Sequence, residues 1–140
     1  MQPKLTTAEL AAYIDEVFPQ VTGRFTVLDL SPGWLRLRMR VTEADLRPGE
    51  TVSGPAIFAL ADCAFYMATL AMIGRESLAV TTNCSIDFMR KPPLGDLVAE
   101  ARILKLGRSL SVGDVLVYSG GQPAPVAHAS LTYSIPPKSA

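Results

Sequence analysis

The longest apolar segment of the sequence spans residues 53–74, and Asp62 is its only carboxylate. Ser53 can cap a helix, Pro55 suits a first helical turn, and Gly74 follows the last apolar residue, so we predict a helix over 53–74. A helix that is apolar on every side belongs inside a protein or inside a membrane. Because a carboxylate at membrane depth is costly and no basic flank precedes the segment, we expect the central helix of a soluble domain rather than a membrane span.

Asp62 is the residue of this helix that most needs an explanation. A buried carboxylate must be paired, hydrogen-bonded or used in catalysis. One interpretation is structural, with Asp62 at the helix surface or accepting a hydrogen bond from a neighbouring strand. The other is catalytic, with Asp62 facing a cleft as a general base or nucleophile. The helix alone favours neither interpretation.

Composition limits the class of protein. The 140 residues fit one domain spanning 1–140, long enough to bury about two thirds of its unfolded surface. The mean hydropathy of +0.25 is high and indicates a large core, an apolar subunit interface, or both. Thirteen basic residues balance thirteen acidic ones, so we expect no nucleic-acid partner. The first residues lack the pattern of a signal peptide, which predicts a cytoplasmic protein.

The sequence gives little support for a metal site. Its two cysteines, Cys63 and Cys84, have no CxxC spacing, and His128 is its single histidine. We therefore expect reduced core thiols, a structural His128 in the last strand, and no metal.

The N-terminal segment 1–22 contains a short amphipathic helix that Thr6 or Thr7 can cap. Its apolar residues form one stripe, so we expect it to cover a sheet edge as a lid and to carry no functional residue. The stripe consists of Leu10, Ile14, Val17 and Phe18.

Six alternating segments separated by turn residues predict six β-strands, two before the central helix and four after it. The short connections favour an antiparallel sheet in an α+β domain, and the sheet must curl to cover an apolar helix. In the first strand after the helix, alternation places Thr81 and Asn83 on the same face and Cys84 on the opposite one. The six segments are 24–30, 34–41, 78–89, 97–106, 110–119 and 125–135, and the proline-rich stretch 136–138 ends the pattern.

Two polar regions could bind anions. Arg36, Arg38 and Arg40 lie on one face of the second strand, which fits an anion site or, as we favour, the solvated face of a sheet. The loop 42–52 leads into the central helix, whose free N–H groups and dipole favour negative charge.

Four short motifs, in this order, resemble those of the PaaI-like acyl-CoA thioesterases, a family with the hotdog fold. Residues 53–62 are similar to the family's His-Gly-Gly-x5-Leu-x-Asp segment, and residues 81–92 resemble its next strand and Phe-x-Arg-x-Pro turn. Residues 104–109 are similar to its Gly-Arg turn, and residues 126–133 to its closing strand. The resemblance implies a curved antiparallel sheet of about six strands wrapped around a long central helix.

The same resemblance implies an acyl-CoA thioesterase, which hydrolyses a thioester to a carboxylic acid and coenzyme A. Asp62 would activate a water or attack the thioester carbonyl, Gly54 would donate its backbone N–H to the carbonyl oxygen, and Thr81 would help to position the water. Preorganised donors of this kind stabilise a developing oxyanion. Coenzyme A enters as part of the substrate, and the resemblance implies no other cofactor.

The substrate-binding candidates also follow from the resemblance. Arg90, Lys91, Gly107 and Arg108 fall where the family holds the phosphates and pantetheine arm of coenzyme A, although plain solvation is the alternative for such turn residues. The candidate set is completed by Pro55 and Asn83.

Three positions depart from the family pattern. Ser53 replaces its histidine, Pro55 replaces its second glycine and lacks an N–H donor, and Arg47 stands in place of an asparagine. Ser53 stays a catalytic candidate because it occupies the position of the family's histidine. We do not expect it to be a nucleophile, because no histidine lies near it in the sequence. These departures motivate an alternative, a hotdog protein that binds acyl-CoA without catalysis. A hotdog dehydratase is a third hypothesis, and it would need a histidine near the helix.

Assembly is also implied by the resemblance. In this family the sites lie between subunits, so Asp62 of one chain would face Thr81 or the basic turns of another. The high apolar content fits an obligate homodimer that pairs into a homotetramer. The sequence does not distinguish an aryl from a medium-chain acyl group. Four side chains could line the acyl pocket or simply belong to the core: Phe58, Phe65, Tyr66 and Met67.

Overall fold

The computed structural model describes residues 1–137, and Lys138 of the predicted proline-rich end lies outside this range. Helices and strands follow one another with short connections, and a short 3₁₀ turn, Pro19–Val21, follows the first helix. The elements are α1 (Thr7–Val17), β1 (Phe25–Ser31), β2 (Trp34–Met39), β3 (Leu46–Arg47), β4 (Thr51–Val52), α2 (Gly54–Ile73), β5 (Val80–Phe88), β6 (Leu97–Leu106), β7 (Leu110–Ser119) and β8 (Ala127–Ser134).

Six of these strands form one antiparallel sheet in the order β1-β2-β6-β7-β8-β5. α2 packs across one face of this sheet and contacts five of its strands. The predicted α+β architecture, an antiparallel sheet around a long central helix, is confirmed. The structure adds a small hairpin of β3 and β4 within the loop 42–52. The sequence does not indicate this hairpin, because strands of two residues are too short to alternate.

The central helix begins and ends where the sequence predicts. The Ser53 hydroxyl oxygen accepts a hydrogen bond from the Ala56 N–H at 3.3 Å. Gly74 ends the helix with a φ of 97°, a backbone conformation that favours glycine. By length and composition α2 could cross a membrane, but 67% of its apolar window is buried inside the domain. The segment is therefore the core helix of the domain.

A glycine in the middle of β7 allows α2 to approach the sheet closely. A Cβ atom on Gly113 would lie 2.6 Å from the ring of Phe65 and closer still to the backbone carbonyl oxygen of Arg102. Phe65 is fully buried and projects from α2 into this gap. Any larger side chain on the strand would therefore push the helix and the sheet apart.

A bulge at Thr82 changes which residues of β5 face the helix. Thr81 pairs with Tyr133, but Asn83 pairs with the residue just before Tyr133, so Thr82 has no partner of its own on β8. Thr81 and Cys84 therefore both face α2, whereas Asn83 lies on the exposed face. The prediction that Thr81 and Asn83 share a face is wrong, because the extra residue shifts the phase of the strand.

α1 covers the sheet at its edge strand β1, as the sequence predicts. Thr6 is the cap: its hydroxyl oxygen accepts a hydrogen bond from the Glu9 N–H at 3.1 Å, and the Glu9 carboxylate accepts one from the Thr6 N–H at 3.0 Å. Leu10, Tyr13 and Ile14 are buried in the core. Tyr13 is an addition to the predicted stripe.

Candidate active site

Asp62 accepts two hydrogen bonds from the sheet on the same carboxylate oxygen. The Thr81 hydroxyl donates to Asp62 Oδ1 at 2.6 Å, and the Tyr133 hydroxyl donates to the same atom at 2.7 Å. The Tyr133 oxygen also lies 3.1 Å from the backbone carbonyl oxygen of Asp62. Oδ2 accepts no hydrogen bond from residues 1–137 and is not buried. The structural interpretation of Asp62 therefore holds for Oδ1, whereas the catalytic interpretation, which needs the free Oδ2, stays a prediction.

Thr81 belongs to the same chain as the Asp62 that it contacts. Of the two expected partners of Asp62 in another subunit, Thr81 is therefore wrong, because β5 runs beside α2 within one chain. The other, the basic turns of a second chain, stays a prediction. Tyr133 is a site residue that the motifs do not single out. A signal was nevertheless present, since Tyr133 alone among the inward-facing residues of β8 carries a polar group.

A cavity of about 280 Å³ opens in front of Asp62. Phe18 packs edge-on against Tyr66 in its wall, with ring centroids 6.4 Å apart. Val17 and Phe18 of the N-terminal segment thus line this cavity, which periodicity alone cannot show, and the expectation that the segment carries no functional residue stays a prediction. The lining residues are Val17, Phe18, Asp62, Cys63, Tyr66, Ser77, Ala79, Val80, Thr81 and Tyr133.

The groups around Asp62 keep their protons. The pKa of the Cys63 thiol is raised to about 12, mainly by burial and to a smaller extent by the negative charge of Asp62. The same two causes raise the pKa of the Cys84 thiol and of the Tyr133 hydroxyl. Tyr133 is therefore a hydrogen-bond donor near neutral pH, and neither thiol is a nucleophile. Both cysteines are free, as the sequence predicts.

The four aromatic and apolar candidates for an acyl pocket separate in the structure. Tyr66 lines the cavity at Asp62. Phe65 and Met67 are buried in the core. Phe58 is 39% exposed at the surface of α2. Of the four, Tyr66 is thus the one that can contact a ligand beside Asp62.

A second cavity, of about 440 Å³, lies at the N-terminus of α2. Gly54 lines it, and no residue of 1–137 accepts a hydrogen bond from the Gly54 N–H. Arg47, Arg90 and Lys91 line the same cavity and add positive charge to that of the helix dipole. Arg90 also donates a hydrogen bond to the carbonyl oxygen of Pro125 at 2.6 Å, which fixes its position. The cavity can therefore hold an anion or a developing oxyanion beside Gly54.

Backbone hydrogen bonds tie the chain together around this second cavity. The Val52 N–H donates to the Pro92 carbonyl oxygen at 3.3 Å, and the Ser53 N–H donates to the Asp45 carbonyl oxygen at 2.7 Å. The Ser53 hydroxyl is engaged as the helix cap. Pro55 is exposed in the first turn and has no N–H to offer. Gly54 is thus the N–H donor of this turn that a ligand can reach.

Asp62 and Gly54 are too far apart on one helix to act on the same bond. Eight positions separate them on α2, which at 1.5 Å per residue is about 12 Å along the helix axis. A base and an oxyanion donor must both lie within hydrogen-bond distance of the reacting group. Asp62 and Gly54 of one chain therefore cannot serve together as the base and the oxyanion donor of one site.

The four basic-turn candidates also lie apart within one chain. Arg90 and Lys91 line the cavity at the N-terminus of α2. Gly107 and Arg108 line a third cavity, of about 850 Å³, at the C-terminal end of the same helix. Asn83 lines none of these three cavities, because the bulge places it on the outer face of the sheet.

The outer face of the sheet carries charged residues that do not reach these cavities. Arg36 and Arg38 are exposed there, as the solvated-face interpretation predicts. The Asp114 carboxylate accepts hydrogen bonds from Arg102 at 3.1 and 3.2 Å and lies 3.1 Å from His128 Nε2. Burial raises the pKa of Asp114, but the hydrogen bonds from Arg102 and His128 outweigh it and hold that pKa below its usual value. His128 is therefore part of a hydrogen-bonded polar cluster on the outer face of the sheet.

Comparison with known proteins relates this geometry to a family. Residues 49–133 match the family model described as Thioesterase superfamily. A solved structure from Silicibacter sp. TM1040, provisionally described as a thioesterase, is 54% identical, covers 98% of this chain and 96% of its own, and has a TM-score of 0.91. The acyl-coenzyme A thioesterase PaaI of Escherichia coli is 30% identical over 80% of this chain and 78% of its own. A Deinococcus radiodurans protein provisionally described as an esterase is 36% identical over 74% of this chain and 68% of its own.

Proposed function

The chain belongs to the thioesterase superfamily and is a thioester hydrolase with a hotdog fold, and on this basis we propose that it hydrolyses an acyl-CoA to the free acid and coenzyme A. The observation that supports this most is Asp62, which lines a cavity and has one oxygen anchored by the sheet and the other without a partner among residues 1–137. Coenzyme A is supported by the relative PaaI, an acyl-coenzyme A thioesterase, and by the basic cavity at Gly54.

In the proposed reaction, Asp62 acts as the general base. Its Oδ2 atom takes a proton from a water molecule while the water oxygen bonds to the thioester carbonyl carbon. The carbonyl oxygen becomes an oxyanion, which the Gly54 N–H and the helix dipole stabilise. When the carbon–sulfur bond breaks, the carbonyl re-forms and the departing thiolate takes the proton from Asp62. Direct attack by Asp62 is the alternative chemistry, and it would form a mixed anhydride that water then hydrolyses.

The proposed site needs a second copy of the chain, and β5 offers a surface for it. β5 is an edge strand whose outer side is unpaired within residues 1–137. Val80 and Phe88, its first and last residues, are 56% and 52% exposed, and Leu78, just before it, is 79% exposed. An unpaired edge strand with exposed apolar residues at both ends favours pairing with another strand. We therefore place the dimer contact at β5.

Pairing β5 with its own copy would join the Asp62 cavity of one chain to the Gly54 cavity of the other. Antiparallel pairing centred on Cys84, the middle residue of β5, sets Val80 of one chain opposite Phe88 of the other. Val80 lines the Asp62 cavity, and the Phe88 ring lies 3.5 Å from where a Cβ on Gly54 would be. Asp62 of one chain would thus approach Gly54 of the other, and each dimer would contain two sites.

The same pairing would bring the basic candidates together. The first residue of β7 aligns with the last residue of β8, which in turn aligns with the first residue of β5. Three strand spacings, about 14 Å, would then separate the turn before β7 from the end of the partner's β5. Arg108 lies in that turn, and Arg90 and Lys91 follow the end of β5. An extended coenzyme A could contact both groups.

The acyl group and the higher assembly are finer parts of the proposal. Phe18, Tyr66 and Tyr133 give the Asp62 cavity an aromatic wall, which suits an aryl group or a medium acyl chain. Leu104 and Leu110 are 61% and 47% exposed near the β6–β7 turn, which supports the pairing of dimers into a tetramer.

Thiol release from a panel of aryl and aliphatic acyl-CoAs tests this function. Asp62→Asn removes the base without changing its shape, and we expect it to lower kcat by about 10²- to 10⁴-fold. Asp114→Asn is the matched control, because that carboxylate is also hydrogen-bonded but lies on the outer face. Failure of the wild type to release thiol, while coenzyme A still raises the melting temperature, would replace the enzyme with a non-catalytic acyl-CoA-binding protein.

A further inference from the structure

Tyr133 is a buried polar residue that the proposed reaction does not yet use. It is 3% exposed, and its hydroxyl reaches two oxygen atoms of Asp62, the carboxylate Oδ1 and the backbone carbonyl. Its ring packs against Phe65 and Tyr66, with centroid distances of 5.7 and 5.9 Å. The hydroxyl therefore cannot turn away from Asp62 without disturbing the core.

The two donors on Asp62 come from different strands. Thr81 approaches Oδ1 from β5 and Tyr133 approaches it from β8, with the two residues paired side by side in the sheet. Turning the carboxylate about its Cβ–Cγ bond, short of the half turn that only exchanges its two equivalent oxygens, would break both hydrogen bonds at once. Because burial keeps the Tyr133 hydroxyl protonated, this restraint persists at neutral pH.

We propose that Tyr133 is a positioning residue, which together with Thr81 holds Oδ1 of Asp62 so that Oδ2 is the oxygen that meets the attacking water or the thioester. The inference deepens the proposed function and rests on it for its kinetic consequences. With Oδ1 already accepting two hydrogen bonds, a proton taken from water stays on Oδ2. That proton then faces the cavity, where the leaving thiolate can accept it.

The kinetic test compares Tyr133→Phe with Tyr118→Phe. The first substitution removes the donor and keeps the ring, whereas the second removes a hydroxyl from the outer face of β7. Tyr133→Phe should lower kcat by about 10- to 100-fold and change KM by less than about twofold, because a hydrogen bond to a charged group is lost but no substrate contact is. Tyr118→Phe should match the wild type. A Tyr133→Phe enzyme with a wild-type kcat would overturn the proposal.

A second measurement does not depend on turnover. Crystal structures of the wild type and Tyr133→Phe should show Asp62 in one orientation in the first and rotated, or in two orientations, in the second. An unchanged, single orientation in Tyr133→Phe would show that Tyr133 does not position the carboxylate, even if the protein hydrolyses no thioester. If wild-type turnover is absent but the rotation occurs, the proposed function fails and the positioning role stands.

Thr81 provides a further check if Tyr133→Phe does not fold. Thr81→Val removes the other donor at constant shape, and Thr81→Ser retains it. We expect Thr81→Val to reproduce the loss in kcat and Thr81→Ser to restore most of it. Equal activity of the two variants would mean that donors on Oδ1 have no role in turnover.

Discussion

Two inactive variants of this protein should restore each other's activity when their chains are mixed. Gly54→Pro removes the proposed oxyanion donor at the first position of α2, where proline is well tolerated. Asp62→Asn removes the proposed base. In a dimer with one chain of each kind, one site combines the intact Asp62 of the Gly54→Pro chain with the intact Gly54 of the other chain, and the second site has neither group.

The size of the recovery follows from the geometry. Because Gly54 and Asp62 lie about 12 Å apart along one helix, each proposed site takes these two groups from different chains. Both chains of a parent dimer carry the same substitution, so both of its sites lack one essential group. Random mixing makes half of the dimers mixed, and half of the sites in these are intact, so activity should reach about a quarter of the wild-type value per chain. Each parent alone should retain about 1% or less, because removing one oxyanion donor or general base costs about 10²-fold or more.

The assay is co-expression of the two chains with different affinity tags, followed by thiol-release measurements on mixed and parent dimers. Gly54→Ala is the control, because its Cβ would lie 3.5 Å from the Phe88 ring, an ordinary contact, and its N–H is retained. It should keep near wild-type activity. Mixed dimers no more active than their parents would refute the shared site and, with it, the pairing through β5.

Three further predictions concern stability and specificity. Gly113→Ala should lower the free energy of unfolding by about 2 kcal/mol or more in urea titrations, because its Cβ would collide with the Phe65 ring, whereas Gly120→Ala, with its nearest neighbour at 3.7 Å, should change it little. The stabilisation from Asp114, whose pKa is lowered on folding, is complete above the ordinary pKa of 3.8 and is lost as the pH falls further. The difference in unfolding free energy between wild type and Asp114→Asn should therefore shrink between pH 7 and pH 3, and a constant difference would contradict the assignment. Phe18→Ala should enlarge the Asp62 cavity and shift kcat/KM towards bulkier acyl groups, whereas Phe58→Ala, at an exposed site, should leave the ranking of substrates unchanged.

Local signals in the sequence predict most of the fold. The central helix has clear capping residues, and the strands 97–106 and 110–119 have the bounds observed in β6 and β7. The other two strands after the helix are shorter than predicted, because alternation continues in the sequence beyond the last paired residue. The bulge at Thr82 escapes prediction, since nothing in a single strand shows where its partner skips a residue.

The site is only partly predictable for a related reason. Asp62 stands out as a single carboxylate in an apolar helix, and Gly54 stands out at that helix's N-terminus. The contact between Tyr133 and Asp62 joins residues 71 positions apart and depends on the register of β8 against β5. Register is set by packing across the whole sheet, so a local pattern cannot reveal it.

The bulge at Thr82 also has a consequence for how this sequence can vary over evolutionary time. In a regular strand, strict alternation would place Thr81 and Asn83 on the same side of the sheet, where the same neighbours would constrain both residues. With one residue outside the ladder, Thr81 is constrained by Asp62, whereas Asn83 is constrained by whatever meets the outer surface. Descendants of this chain can therefore change Asn83 without moving the Thr81 hydroxyl that anchors the carboxylate.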